Sequence, residues 1–356
     1  MILFLYIRNA YILADFTIFM KQNDDSTIPQ SEIITLDVKD RKILKELDQN
    51  PKIPTTTLAK KVRLSQQVVD YRLKRLMERK IISGFGAVYN FAKINYSQYR
   101  VLLTFGRVEE NKKTEVITYL KNHNNSYWVA LIGSKWDLLA VVFVKNYDAF
   151  EKFMDELFEK FPGTLNDYDA LYVPYHEFFR HKFLDEKNTD AININFSAKE
   201  TIPLDHLDMS ILKDLGNNCR TSSLEIGNKH GVSYKTVQNR IRSLEEKRFI
   251  SGYRMFLKGE LLGYNAYIIL FNFTSYGRNA EKKLFSYSKT NQYITQATKL
   301  FGRWSLMFHV RATSRRQLQD LLIEMRNLHP SLGQPEVIPI FEDIGINHIP
   351  IEKEKV

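Results

Sequence analysis

The first regular pattern in the chain is an apolar stripe that recurs every three to four residues. Ile43, Leu44 and Leu47 fall on one face of a predicted helix. Asp37 is a residue type that caps helix N-termini, and it stands just before this stripe. Pro51 marks the end of the helix, because proline cannot continue the helical hydrogen bonds.

A short second helix over residues 55–61 is followed by a tight turn and a third helix. Ser65 is the predicted N-cap of the third helix, since its hydroxyl can accept a hydrogen bond from the first turn. Residues 81–90 then predict a hairpin wing that turns at Gly84 or Gly86. The third helix has a narrow apolar stripe formed by Val69, Leu73 and Leu76, with polar and mostly basic residues between them.

After this head the pattern alternates between strand and helix periods. The predicted order is βαββαβ, a ferredoxin-like sandwich with helices covering one face of the sheet. The fold class is therefore α+β. The predicted elements span residues 99–108, 111–124, 126–133, 136–144, 148–161 and 166–179.

The whole series occurs twice. The segment LDVKDRKILKELDQNPK that begins at Leu36 matches LDHLDMSILKDLGNNCR that begins at Leu204, and the register holds without a gap to ISG in both copies. Trp136 and Trp304 keep the same offset further on. The predicted domains are an N-terminal extension (1–35), a first winged helix-turn-helix (36–92), a first sandwich (96–184), a polar linker (185–203), a second winged helix-turn-helix (204–258) and a second sandwich (262–350).

Residues 1–20 are strongly apolar and about as long as a membrane span requires. Arg8 and Asp15 interrupt them, and each is costly at membrane depth. We expect an upstream extension, with Met20 as the true beginning and no membrane partner. A membrane tether is the alternative.

Charge and composition narrow the class of protein. The formal net charge is +10, which suits a polyanionic partner, and the single cysteine, Cys219, excludes an internal disulfide. The histidines do not fall at zinc spacings, and neither a glycine-rich phosphate loop nor a GxSxG elbow occurs. We therefore expect no catalytic residues, no metal and no cofactor, and a cytoplasmic location.

A short helix, a tight turn and a basic helix predict a helix-turn-helix whose last helix enters a major groove of double-stranded DNA. Arg72 and Arg240 either brace the fold or touch phosphate, and the alternative for the whole basic face is a solvated surface. The candidates for the entry of the helix and base edges are Ser65, Gln66, Gln67, Asp70 and Tyr71 in the first copy and Ser233, Tyr234, Lys235, Gln238 and Asn239 in the second. The candidates for phosphate contacts are Lys74, Arg75 and Arg242.

Together these motifs resemble the Lrp/AsnC family. The residues that carry the resemblance are Leu36, Asp37, Asp40, Ile43, Leu44, Leu58, Ala59, Ser65, Arg72, Leu76 and Ile82–Gly84. The resemblance implies a DNA-binding head coupled to a ferredoxin-like ligand domain, and sheets that pair between sandwiches. The two copies are thus expected to form an intrachain pseudo-dimer, and higher homo-oligomers are expected too.

The same resemblance implies a small effector, often an amino acid, near the turn between the second and third strands of the sandwich. Gly133 and Asp137 match that turn, with Asp137 placed to meet a ligand amine. The second copy has Ser305 in place of the acid. The structural alternative is that Gly133 shapes a hairpin and Asp137 is a solvated acid at a strand end.

The function predicted is a sequence-specific DNA-binding transcription regulator that is not an enzyme. One alternative is a sirohaem-decarboxylase-like enzyme, which would need histidines and arginines around a tetrapyrrole between the sandwiches. The central strands offer mostly apolar residues there, and His309 alone is polar. The other alternative is an assembly protein whose heads no longer bind DNA.

Overall fold

A computed structural model describes residues 33–196, 200–274 and 278–351. The expectations for residues 1–20, including Met20 as the start, lie outside the described residues. The described residues from Thr35 onward form one compact unit.

The elements alternate as the pattern predicts, in two matching series. Their bounds are α1 (Val38–Gln49), α2 (Thr55–Val62), α3 (Gln66–Glu78), β1 (Ile82–Tyr89), β2 (Ser97–Phe105), α4 (Glu110–Asn122), β3 (Ser126–Ile132), β4 (Leu138–Val144), α5 (Tyr147–Lys160), β5 (Leu165–Phe179), β6 (Ala191–Asn195), α6 (His206–Asn217), α7 (Ser223–His230), α8 (Tyr234–Glu246), β7 (Ile250–Leu257), β8 (Asn265–Phe271), α9 (Arg278–Thr290), β9 (Ile294–Phe301), β10 (Leu306–Ala312), α10 (Arg315–Asn327) and β11 (Glu336–Ile346). Head 1 is α1–α3 with β1, and head 2 is α6–α8 with β7.

The predicted caps and apolar stripes of head 1 are present. The Asp37 carboxylate accepts a hydrogen bond from the Asp40 backbone N–H at 2.7 Å and so caps α1. Asn50 follows the last residue of α1, where the sequence predicts the stop. The stripe residues Val69 and Leu76 of α3 are buried. Each head therefore packs as a small three-helix unit around the stripe read from the sequence.

The wing differs from the prediction. The chain does not turn at Gly84 or Gly86; β1 runs straight through both and pairs antiparallel with β7 of the other copy. The glycine at 86 is explained by close approach, because a Cβ there would lie 2.8 Å from the Gly216 carbonyl oxygen and from the Phe256 ring. The predicted hairpin is therefore wrong: each head supplies one strand, and the two strands complete a shared ladder.

The sheets of the two sandwiches join into one closed ring. Strand β5 pairs with β2 of its own copy and with β9 of the other, and β11 pairs with β8 of its own copy and β3 of the other. With β4 and β10 in the middle of each half, eight strands close a barrel. The two copies therefore do pair sheet to sheet within one chain, as the resemblance implies.

The predicted linker is partly structured. Strand β6 lies within residues 185–203 and pairs antiparallel with the C-terminal part of β5. Ile192 and Ile194 of this strand are buried, so two apolar residues within the polar segment make it part of the core.

One core cluster fills the barrel, and two more lie beneath the helices on its outer face. The inner cluster contains residues of both copies, among them Trp136, Leu139, Met307 and Ile338. Among the described residues no helix is both long and apolar enough to cross a membrane.

Candidate nucleic-acid interface

The third helix of each head presents the predicted polar face to solvent. Tyr71 in α3 is 66% exposed and Tyr234 in α8 is 51% exposed, although both are aromatic and a core would readily bury them. The other exposed members of this face are Gln66, Gln67, Asp70, Lys74, Lys235, Gln238, Asn239 and Arg242. The two faces are matched in position, polar and without a covering element in the described chain.

The entry to each of these helices is fixed by a serine. The Ser65 hydroxyl accepts a hydrogen bond from the Val68 backbone N–H at 3.3 Å, and the Ser233 hydroxyl accepts one from Thr236 N–H at 3.0 Å. Both serines are exposed beside the cap. They therefore set where each helix begins and which side chains stand on its first turn.

Arg72, which the sequence assigns either to bracing the fold or to phosphate contact, braces head 1. The Arg72 guanidinium donates to Asp37 at 2.6 Å and to buried Asp40 at 2.8 Å, and these hydrogen bonds raise its pKa. Arg240 repeats the contact in head 2, 2.7 Å from Asp205. These arginines tie the third helix to the N-terminus of the first.

Arg75, a candidate for phosphate contact, also lies against the first helix, and its contact with DNA stays a prediction. Its Nη2 lies 2.6 Å from the Asp40 carboxylate, so Asp40 accepts from two arginines of α3. The reason is helical spacing, since residues 72 and 75 are one turn apart and stand on the same side of the helix. Lys74 and Arg242 remain exposed, and only Lys74 has an ion pair, with Glu78 at 3.7 Å.

The candidate effector turn is a tightly built strand connection. Asp137 Oδ2 accepts a hydrogen bond from the Phe105 backbone N–H at 2.7 Å. A Cβ on Gly133 would lie 2.7 Å from Pro339 and 2.8 Å from Phe341 of the other copy. Asp137 thus holds the neighbouring strand by a hydrogen bond, and Gly133 allows the other copy to approach closely. Effector binding by these two residues stays a prediction.

A set of residues that sequence reasoning missed lies where the barrel meets the wing ladder. Four basic side chains, which we term the Arg–His cluster, come together there: Arg100 of β2, His176 of β5, Arg254 of β7 and His309 of β10. His309 is therefore not the only polar residue of this region. A comparison of the two copies could have revealed Arg100, because its counterpart in the other copy is the apolar residue Ile268.

Burial governs the electrostatics of this cluster. Burial lowers the pKa of Arg100 to about 10 and that of Arg254 to about 10. Burial, followed by the charges of the neighbouring arginines, holds the pKa of His176 and of His309 well below the usual histidine value. Both imidazoles are therefore neutral at pH 7 and both guanidiniums remain charged.

Among the described residues, no group of three or more histidine, cysteine or acidic side chains is placed to hold a metal ion.

The whole-chain architecture has a solved counterpart. The crystal structure of the siroheme decarboxylase NirDL aligns over 89% of this chain and 95% of its own, with a TM-score of 0.59 and 13% identity. An identity this low shows a shared fold alone.

Sequence comparisons identify the heads and the family. The AsnC-type helix-turn-helix domain matches residues 36–77 and 204–245. An uncharacterized HTH-type transcriptional regulator from Pyrococcus horikoshii is 30% identical over 130 residues, which are 36% of this chain and 87% of that protein. The leucine-responsive regulatory protein of Rhizobium meliloti is 28% identical over 125 residues, 35% of this chain and 80% of that protein. The chain belongs to the Lrp/AsnC family of helix-turn-helix transcriptional regulators.

Proposed function

We propose that the chain regulates transcription by binding double-stranded DNA sequence-specifically through α3 and α8. The observation that carries the proposal is the matched pair of exposed third-helix faces. Each is entered at a capping serine, each is held by an arginine to its own first helix, and each is uncovered in the described chain.

The two heads belong to one DNA-binding unit. Because β1 and β7 form a single antiparallel ladder, the heads are related by a local twofold arrangement. A twofold pair of helix-turn-helix heads suits two half-sites in successive major grooves, about 10 base pairs apart. The proposal therefore includes a paired, inverted operator.

The test is selection of bound genomic fragments by the purified chain at two salt concentrations. We expect a paired half-site motif and an affinity that falls steeply with salt. Lys74→Ala should weaken binding to all sequences, whereas Gln67→Ala and Lys235→Ala should change the preferred sequence. Absence of both enrichment and salt dependence would overturn the proposal and favour a protein that only assembles.

An amino-acid-like effector at Gly133 and Asp137 is a separate part of the proposal. Asp137→Asn keeps the size of the side chain and an oxygen that can accept from Phe105 N–H. It should abolish any change in DNA affinity caused by amino acids while leaving affinity without them unchanged. If amino acids act equally on both proteins, this site is not the effector site.

The Arg–His cluster favours one second candidate, an enzyme acting on a carboxylate-bearing tetrapyrrole between the sandwiches. Two guanidiniums and two neutral imidazoles are groups that can bind carboxylates and move protons. The measurement is the visible absorbance of the chain after incubation with uroporphyrin, followed by analysis for lost carbon dioxide. A spectrum identical to that of free uroporphyrin would remove this candidate.

A further inference from the structure

In the described part of the chain the buried charge of Arg100 has no acidic partner. Arg100 and His176 are each 3% exposed. Arg100 Nε, His176 Nδ1 and His309 Nε2 are buried without a hydrogen-bond partner. Across residues 33–196, 200–274 and 278–351, no carboxylate lies within ion-pair distance of Arg100 or Arg254. A buried charge without a partner is strongly unfavourable, so stability alone does not account for these residues.

The other copy shows that the fold does not require them. At the repeat offset, Arg100 corresponds to Ile268 and His309 corresponds to Val141, both buried and apolar. Arg254 pairs directly with Gly86, its own counterpart, at the centre of the wing ladder. At each of these three positions one copy thus has a basic residue and the other has an apolar residue or glycine, and the basic residues come from both copies.

One side of the cluster keeps contact with solvent. His309 lies on the inner face of β10, since Phe308 and Val310 pack outward against the helices; its Nε2 is buried, but the residue as a whole keeps some solvent exposure. Trp128 and Arg254 are half-buried beside it. These half-buried residues mark the side from which a small molecule can approach the cluster.

Aromatic rings surround the cluster on this side. The Trp128 and His309 rings have centroids 5.6 Å apart, and Arg254 lies over the Phe178 ring at 4.3 Å. The Trp128 indole is held by its N–H, which donates to Asp343 at 2.8 Å. A flat apolar group fits against such rings, and a planar guanidinium matches the two oxygens of a carboxylate.

We propose that the Arg–His cluster binds a small organic anion that carries a carboxylate on a flat apolar body. Arg100 and Arg254 bind the carboxylate, and the neutral imidazoles of His176 and His309 donate further hydrogen bonds. Because Arg254 stands on β7 of head 2 and the others stand on the barrel, the ligand bridges head and barrel. The ligand is therefore also an effector of DNA binding, and this last clause rests on the proposed function.

The enclosure of Arg100 and His176 favours a small ligand over a tetrapyrrole. Arg100 and His176 are almost fully enclosed, so the anionic group enters a narrow space. Two cavities of about 560 and 460 Å³ lie elsewhere, one beside Thr118 and His123 and one beside Gln292 and Glu324.

The experiment uses thermal unfolding of the full chain with sodium benzoate, sodium acetate, sodium phosphate and benzyl alcohol as probes. The test variant is Arg100→Ile, which installs the residue of the other copy. The control variant is Arg220→Ile, since Arg220 is half-buried but donates to the Pro51 carbonyl at 2.6 Å. Without probes, we expect Arg100→Ile to raise the melting temperature and Arg220→Ile to lower it.

Benzoate should raise the melting temperature of the wild type and of Arg220→Ile by on the order of a few degrees at saturation. It should leave Arg100→Ile unchanged, and the other three probes should have little effect. A lowered melting temperature for Arg100→Ile without ligand, together with no response of the wild type to benzoate, would overturn the proposal. Phosphate acting as well as benzoate would also overturn it, as would uroporphyrin binding with no benzoate response.

Failure of the DNA-binding function would be seen separately. DNA affinity and its salt dependence, measured on the wild type without probes, do not depend on the cluster. If benzoate binds but no DNA does, the binding site stands and the regulatory role falls.

Discussion

The Arg72→Ala substitution tests whether Arg72 braces head 1 or contacts DNA. Its Nη1 lies 2.8 Å from Asp40, whose side chain is 5% exposed, and 2.6 Å from Asp37, whose side chain is 49% exposed. A hydrogen bond to a charged group contributes about 1.5–3 kcal/mol, and an exposed ion pair contributes at most about 1 kcal/mol. The Asp40 carboxylate retains its ion pair with Arg75 at 2.6 Å, so it does not become an unpaired buried charge. We expect Arg72→Ala to lower the free energy of unfolding by about 2 kcal/mol.

Lys74→Ala is the matched variant from the same helix. Its side chain is 77% exposed and its ion pair with Glu78 spans 3.7 Å, so its loss should change stability by less than about 0.5 kcal/mol. It should instead reduce the slope of log affinity against log salt by about 1, because one phosphate contact is lost.

Urea unfolding followed by circular dichroism gives the stabilities, and fluorescence anisotropy with a labelled duplex over a salt series gives the slopes. The expected outcome is a crossed result, with Arg72→Ala changing stability and Lys74→Ala changing the slope. Should Arg72→Ala reduce the slope by about 1 and leave the unfolding midpoint in place, Arg72 contacts phosphate and the bracing role is wrong.

Three further predictions follow from single contacts. Ser65→Ala and Ser233→Ala should each cost about 1 kcal/mol in urea unfolding through loss of an N-cap, and an unchanged midpoint would contradict capping. Gly133→Ala should cost about 1–3 kcal/mol because its Cβ would meet side chains at 2.7 and 2.8 Å, whereas Gly84→Ala, with its nearest contact at 3.7 Å, should cost less. Burial raises the pKa of Asp48, but the charge and hydrogen bonds of His181, whose Nδ1 lies 2.7 Å from Asp48 Oδ1, lower that pKa below its ordinary value. Asp48→Asn should therefore be less stable than the wild type at pH 7, with a gap that closes only as the pH falls below about 4, and a gap that closes nearer neutrality would contradict this assignment.

The parts of the fold that depend on local signals could be predicted from the sequence. The caps at Asp37 and Ser65, the stop at Asn50 and the βαββαβ order rest on spacing along a few residues, and the structure has each of them. Each of these signals is contained in a short stretch of sequence. The pairing of the two copies, by contrast, was implied by the resemblance to the Lrp/AsnC family.

The parts that depend on contacts across the duplication could not be predicted. Gly84 and Gly86 look like turn residues until β7 is placed beside them, when Gly86 becomes a position of close approach. The ion pair between Arg75 and Asp40 was likewise not predicted, because Asp40 lies on another helix. Spacing does not reveal a partner that lies one helix away or in the other copy.

Fusion of the two copies gives this chain a freedom that a symmetric dimer lacks. Gly86 and Arg254 occupy equivalent positions and face each other at the centre of the wing ladder. In a dimer of identical subunits the same residue would meet its own copy there, and two arginines would bring two like charges together beside a buried space. Here one copy keeps the glycine that the close approach requires, and the other places a single guanidinium over the barrel. The asymmetry of the Arg–His cluster is thus a direct consequence of having both halves in one polypeptide, and it explains why a site can exist between copies whose helix-turn-helix heads are so alike.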